Sequence, residues 1–557
     1  MREHFAYYIH ALEEHAKNAL KCQCRDKMSP YYGCFGSSGG SYGVYSGSDG
    51  AAQLISAYST PGCALENSTE CLEGALAALR FALKYVHSDG TTDLLVTNFH
   101  DASENAFIVS LFAPAYLRLR LHGIHTNAER ELDSLCFDFT DRLAQGMLAG
   151  GFHTPNHRWI QSAALAFCYK LTGRRECLAR IEQFLSEGID CDENGEYTER
   201  STGVYNHVCN RAFIDLAFLL DRPEFLEYVR RNLKHSLTFF EPDDTVNTMN
   251  STRQDFGQKP DTAVYYSELL YMAMRDRDAE FAWEANRMLE RFIAKDKLSY
   301  ALPCALYGYY TYNLLNAETA DAPCITERET AKSYEKLYAP SGIMRKRNGD
   351  FSLTLVKEHA DFAKLMYKNH TVYLRLAASF FAKGQFAAQT LEKTEDGYIM
   401  SFEQLWGYKQ PLETPPATSD WRRMDHSLRK DVMMQLLRYE VSVRPLETGV
   451  DLVIKAYGTD FVPLKLEILT QPGTFVSESV LMHTRAGDYI FLKGDTAKWI
   501  YAGRDALLVK GGFHSHYTGE SMRGTLGADG GCCTIALTGE TPLEKRVTLE
   551  FREAVFV

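Results

Sequence analysis

The sequence predicts an α/α toroid, or incomplete barrel, followed by an antiparallel β domain. Three observations lead there: helical spacing of apolar residues through roughly the first 330 positions, short alternating strands past about residue 341, and no βαβ alternation or Gly-rich strand-to-helix turn. A chain of 557 residues has ample length for two such units, here placed at 1–335 and 336–557.

The first segment, MREHFAYYIHALEEHAKNAL, reads as an amphipathic helix, because Glu3, Glu13 and Glu14 interrupt what would otherwise be an apolar run. CLEGALAALRFALKYVH, ENAFIVSLFAPAYLRLRLH, RWIQSAALAFCYKLTG, RECLARIEQFLSEGI, CNRAFIDLAFLL, PEFLEYVRRNLKHSL and DTAVYYSELLYMAMRD then put apolar residues at i, i+3, i+4 and i+7. LTGRREC and LLDRPEF read as tight turns between antiparallel neighbours, with Gly173 as a C-cap and Pro223 near a helix start. So many hairpins exceed one four-helix bundle, which is why a toroid is expected. GSSGGSYGVYSGSDG (36–50) reads as a loop. In the second half FSLTLVKE, TVYLRLAASFF, VMMQLLRYEVSVRP, GVDLVIKAYG, LKLEILTQ and RVTLEF alternate apolar and polar residues between Gly, Asp and Pro punctuation.

Composition narrows the function classes. With 60 Lys+Arg against 72 Asp+Glu, the net charge of −12 leaves no domain-wide basic footprint, so nucleic acid is not an expected partner. No window of about 18 apolar residues occurs, so no membrane span is expected. The 14 Cys are scattered, and with no signal-like N-terminus they point to a reducing cytoplasm. Cys22, Cys24 and Cys34 form C-x-C-x9-C, which is not a usual zinc-finger spacing. No metal or cofactor is therefore expected, and spacing gives no support for structural Zn or Ca. Oligomeric state stays open, a homo-oligomer included.

The chemistry rests on polar clusters expected at helix beginnings. TNFHDAS supplies Asn98 and His100; HTPNHRW supplies Asn156, His157 and Arg158; STGVYNHVCNR supplies Tyr205 and His207; NTMNSTRQD supplies Arg253. The steps Asn98 to Asn156, Asn156 to Tyr205 and Tyr205 to Arg253 are 58, 49 and 48 residues, about one helical hairpin each, so the clusters should face one cleft. Thr154 with Pro155, and Ser201 or Thr202, fit helix starts, whose free N–H groups and positive end suit a carboxylate. Asn, His, Tyr and Arg without an evident carboxylate pair suit β-elimination on a uronic acid. The sugar's carboxylate is neutralised, a base takes the C5 proton, and an acid protonates the departing C4 oxygen.

HTPNHRW followed by STGVYNH resembles the Asn-His and Tyr motifs of heparinase II/III-like and oligoalginate-lyase-like polysaccharide lyases. The resemblance implies a toroid followed by a C-terminal antiparallel β-sandwich. It makes Asn156 the carboxylate neutraliser, His157 the base or its helper, and Tyr205 the acid, or base and acid in a syn elimination. Asn98 and His100 match an upstream polar substrate-contact position less securely, while Arg158, His207 and Arg253 are candidate substrate contacts because they belong to the same polar clusters. The resemblance also implies a His or Tyr from the start of the β domain, with His359 and His370 as the candidates and His359 preferred. Some members hold Zn through H-x-H and D-x-H; here Asp425-His426 and His514-Ser515-His516 differ in order and spacing.

The expected function is thus a cytoplasmic lyase acting on 4-linked uronate glycans, glycosaminoglycan-type first and alginate-type second. Two alternatives stay open. A glycoside hydrolase on an α/α toroid would draw on Asp192, Glu193, Glu196 and Glu199, which cluster before Tyr205. A non-catalytic glycan-binding protein would need no convergence of Tyr205 and His157. WRRMDHSLR (421–429) reads equally as a sugar contact or a solvated loop.

Overall fold

A computed structural model describes residues 2–35, 43–295, 333–502, 505–519, 522–527 and 530–553. The chain divides into two compact units, Met1–Phe240 with Thr245–Glu329, and Glu241–Asp244 with Thr330–Val557. Residues 36–42 of the Gly/Ser-rich run lie outside the described residues, and the remainder opens the helix Val44–Ser59.

In the first unit, alternate helices pack on one another in a row: Val44–Ser59 on Ala102–His122, that on Pro155–Thr172, that on Tyr205–Leu219, and that on Tyr266–Asp276. Each also packs on the helix that follows it, namely Thr69–Leu83, Asn127–Ala149, Glu176–Ser186, Leu226–Leu237 and Ala279–Lys295. The sequence dictates which helices form the row. Ala102–His122 buries Ile108, Val109, Leu111, Phe112 and Ala113 on nearly every side, whereas Glu176–Ser186 buries only the stripe Cys177, Ile181 and Phe184. A helix apolar all round must be enclosed, and a striped one can face water. Gly173 ends Pro155–Thr172 in the left-handed region (φ 77°), as the sequence predicts.

The second unit is a β-sandwich of one nine-stranded and one eight-stranded sheet. Leu353, Leu365, Leu374, Leu466 and Ile535 from one sheet meet Leu437, Tyr439, Leu452, Trp499 and Leu549 from the other in a common core. Parallel pairing interrupts the antiparallel pattern beside Cys533–Glu540, where Tyr489–Phe491 runs parallel to it and His514 forms a parallel bridge to Thr538. Strand alternation explains the rest: Tyr439, Val441 and Val443 are buried while their neighbours are not.

Glu241 follows the helical hairpin ending at Leu237 yet belongs to the sandwich unit. Its carboxylate accepts from Arg345 at 3.1 Å, Lys364 at 2.9 Å and Ser352 at 2.6 Å, and all four residues are buried. Those cations hold its carboxyl well below the usual range despite burial.

Candidate active site

Three helices of the inner row start side by side. Ala102–His122 is capped by Asp101, whose carboxylate accepts from Ser103 N–H at 2.8 Å. Pro155–Thr172 has proline in its first turn. Tyr205–Leu219 begins at Tyr205 itself, whose N–H donates to Ser201 Oγ at 3.1 Å. Gln161 Nε2 donates to Ser103 Oγ at 3.1 Å, and His157 lies edge-on to Phe107, so the first two starts adjoin.

Asn156 is fully buried, and both its amide hydrogens are engaged: Nδ2 donates to Glu199 Oε2 at 2.8 Å and to Thr154 Oγ1 at 3.0 Å. Thr154 thus spends its hydroxyl on Asn156 rather than on capping the helix. The Asn156 Oδ1 atom has no hydrogen-bond partner among the described residues. An amide in this state presents an acceptor, so a direct N–H contact with a ligand carboxylate, the role expected of Asn156, requires one of those bonds to break.

Glu199 links Asn156 to Arg253, whose Nε lies 3.3 Å from Glu199 Oε1. Burial pushes the Glu199 carboxyl above its usual value, opposed by Asn156 and Arg253. The Arg253 guanidinium sits over the Tyr205 ring, 5.1 Å from its centre, and Gln254 Nε2 donates a short hydrogen bond to the Tyr205 hydroxyl. Arg253 is on a loop, not at a helix beginning. Its N–H donates to Ser251 Oγ, and Thr252 donates from both N–H and hydroxyl to the Glu199 carbonyl, which ties the two loops together.

His157 accepts from the His153 backbone N–H at Nδ1, 3.4 Å away, which favours its ring proton on Nε2. Burial lowers its pKa to about 4, so it is neutral at physiological pH; Asp101 nearby acts in the opposite sense.

The remaining expected contacts are placed differently. Arg158 spends its guanidinium on Glu187 and Asp190, each 3.2 Å away, and stacks on Trp159. His207 faces the buried carboxylate of Glu268 at 3.9 Å, with its pKa lowered to about 4 by burial. Asn98 and His100 lie on a short strand, Asn98–Asp101, paired with Thr92–Leu94, rather than on a helix. Asn98 donates to Asp101, while His100 meets Asp89 at 2.8 Å and stacks on His87. In the sandwich unit, His359 accepts from Asp361 N–H at 3.2 Å, and His370 is held by Asp505 and Gln471 against Tyr501.

The acidic run before Tyr205 does not supply two free carboxylates. Asp192 accepts from Asn194 and Glu196 N–H groups, Glu193 is exposed, Glu196 accepts from Asn250, and Glu199 is committed as described. Among the described residues no group of three His, Cys, Asp or Glu side chains is arranged to hold a metal. His516 and His426 spend Nε2 on backbone carbonyls, and His514 contacts Thr538. Among the described residues, too, no helix is long and apolar enough to cross a membrane. Sequence reasoning missed Gln254 altogether and saw Glu199 only as a hydrolase carboxylate. Their neighbours Arg253 and Tyr205 were the only signal.

No protein-family model matches the chain, and no curated protein sequence matches it either. Solved structures do. A Paenibacillus xanthan lyase matches over 98% of this chain and 55% of its own, with TM-score 0.54 and 11% identity. A Streptomyces coelicolor chondroitin AC lyase, solved with chondroitin sulphate, matches over 98% and 79%, with TM-score 0.52 and 13% identity. The heparan sulfate lyase HepC of Pedobacter heparinus matches over 98% and 83%, with TM-score 0.52 and 10% identity. The chain thus spans little more than half the length of the xanthan lyase. Its fold is that of the heparinase-like polysaccharide lyases, a helical toroid followed by a β-sandwich.

Proposed function

We propose that the protein is a polysaccharide lyase that cleaves 4-linked uronate glycans by β-elimination, glycosaminoglycan-type before alginate-type. The observation that carries the proposal is the setting of Tyr205, a phenol at a helix start with Arg253 over its ring and Gln254 on its oxygen. Both neighbours hold the ring and its oxygen in place, so that the hydroxyl is positioned to take a proton and return it. Fold likeness to glycosaminoglycan and xanthan lyases supports the same class.

In the proposed reaction Tyr205 removes the C5 proton, the C4–O4 bond breaks, a C4=C5 double bond forms, and the proton goes to O4. No water is consumed. Charge building on the sugar's carboxylate is met by Arg253, the partly exposed cation of the cluster, with Glu199 and Asn156 fixing its position. Neutral His157 contributes a donor at Nε2. Asn98, His100 and His207 stand as outlying substrate contacts, and Arg158 supports the helix start. The resemblance also assigns a role in the reaction to His359, and His359→Ala tests that assignment. A cytoplasmic setting would favour oligosaccharides over intact polymer.

The test is ultraviolet absorbance during incubation with heparin, heparan sulfate, chondroitin sulfates, hyaluronan and alginate. A rising signal from the conjugated double bond is expected with at least one of them. New reducing ends without that chromophore would replace the proposal with hydrolysis.

A further inference from the structure

The strand Tyr398–Lys409 outruns the sandwich that begins it. Tyr398, Met400 and Phe402 point into the core and are buried, and the neighbouring edge strand Thr390–Lys393 pairs only as far as Ser401. Strand parity carries the same face onward to Gln404, Trp406 and Tyr408, because the irregularity in this ladder lies on the partner strand, between Val432 and Gln435. The inward row therefore ends in two partly exposed aromatic rings. Trp406 is 43% exposed and Tyr408 57%.

The rings are met by an aromatic edge and a cation. Phe381 meets Tyr408 edge-on at 5.3 Å, and the Lys383 ammonium lies over Trp406, 5.4 Å from the ring centre. Among the described residues Lys383 has no carboxylate partner, unlike Lys409, which pairs with Asp431, and Arg438, which pairs with Glu403. Phe381, Ala382 and Met433 all adopt positive φ (47°, 56° and 51°), a strained backbone for non-glycine residues. Gly407, between the two rings, admits Met434 so closely that a Cβ there would lie 2.5 Å from its sulfur. The strain and the close approach hold two rings, about 7 Å apart along the strand, beside the Lys383 ammonium.

We propose that Trp406, Tyr408 and Lys383 form a binding platform on the sandwich unit for acidic, uronate-containing oligosaccharides. The rings stack on the apolar faces of successive sugars and Lys383 meets an acidic substituent. Flat exposed rings suit the C–H faces of pyranoses, and a cation beside them with no carboxylate partner among the described residues selects an anionic chain over a neutral one. The proposal shares the glycan class with the lyase assignment, but it needs no turnover.

The experiment uses the full chain carrying Tyr205→Phe, so that substrate is not consumed. Hyaluronan and chondroitin sulfate decasaccharides are the acidic probes, with cellohexaose as the neutral one. Mass-spectrometric footprinting reads acetylation of Lys383 and oxidation of Trp406. Both acidic probes should protect both sites at saturation, read as loss of Lys383 acetylation and of Trp406 oxidation, and cellohexaose should not. Adding Tyr408→Ala should abolish the protection, while Leu405→Glu, on the opposite face of the strand, should leave it intact. Protection by chondroitin sulfate alone would assign Lys383 to sulfate, and by both probes to carboxylate; either supports the platform. Unchanged modification with both acidic probes would overturn it, as would protection that depends on protein concentration and disappears with Leu405→Glu, the signature of a second copy. Failure of the lyase assignment would register separately, as absence of the absorbance signal in the wild-type chain with protection retained.

Discussion

Asn156 and Glu199, 43 residues apart in sequence, share a 2.8 Å hydrogen bond between a fully buried amide and a nearly buried carboxylate. The same carboxylate faces Arg253, so Glu199 fixes the distance between the Asn156 helix start and the cation beside Tyr205. Glu199→Gln keeps an acceptor for Asn156 but removes the charge that holds Arg253. Turnover should fall about 30-fold, corresponding to about 2 kcal/mol for one lost partner of a buried charge pair. Steady-state kinetics beside a thermal melt check it; unaltered kcat with a normal melt would remove Glu199 from the positioning role.

Tyr205→Phe deletes only the oxygen that Gln254 contacts. Proton transfer by a positioned side chain is worth about 100- to 10,000-fold, and kcat should fall within that range. Affinity for an intact oligosaccharide, measured by calorimetry, should stay within about threefold, since one exposed hydrogen bond contributes little. A variant that turns over normally would favour a carboxylate-driven hydrolase, and no turnover in the parent chain with retained affinity would favour a binding protein.

Histidine-selective NMR should find His157 titrating at about 4 rather than near its ordinary value, because burial disfavours the imidazolium. The neutral ring is then present above that pH and lost only below it. The profile of kcat/KM against pH should accordingly lack an inflection from His157 near neutrality; a midpoint near the ordinary histidine value would show the ring to be solvated.

Glu268 is buried, and burial raises its pKa to about 7. The fold therefore binds a proton that the unfolded chain has already released. The cost to stability is absent below the ordinary carboxylate range, grows as pH rises from there to about 7, and is constant above. Glu268→Gln should match the parent in denaturant unfolding at low pH and gain on the order of 2 kcal/mol at pH about 8. A gain independent of pH would point to packing instead.

Removing the Glu241 carboxylate leaves Arg345 and Lys364 buried without their anion. Glu241→Ala should cost about 3–5 kcal/mol of stability, read as a large drop in melting temperature. An unperturbed melt would show that water compensates both cations.

The order of the two units was legible because periodicity is local. Ile108 to Ala113 and the stripe Cys177, Ile181, Phe184 differ in pattern before any packing is known, and Gly173 marks a helix end by its own conformational freedom. Tyr205 and His157 could be singled out because their segments begin helices. Arg253 could be named but not placed, since its loop is set by Ser251 and by the Glu199 carbonyl rather than by helix propensity.

The sequence by itself determined the succession of helical and β units, helix ends such as Gly173 and the residue types available for proton transfer, all of which follow from patterns a few residues long. Only the tertiary structure decided which partner each of those residues keeps. It turned Asn156 toward Glu199 instead of a ligand, engaged Arg158 with Asp190, drew Glu241 into the sandwich, and left Trp406 and Tyr408 beyond its core. The reason is range. Hydrogen bonds and ion pairs between residues 40 to 120 positions apart are fixed by chain packing, and a buried polar group takes whichever partner that packing brings within reach.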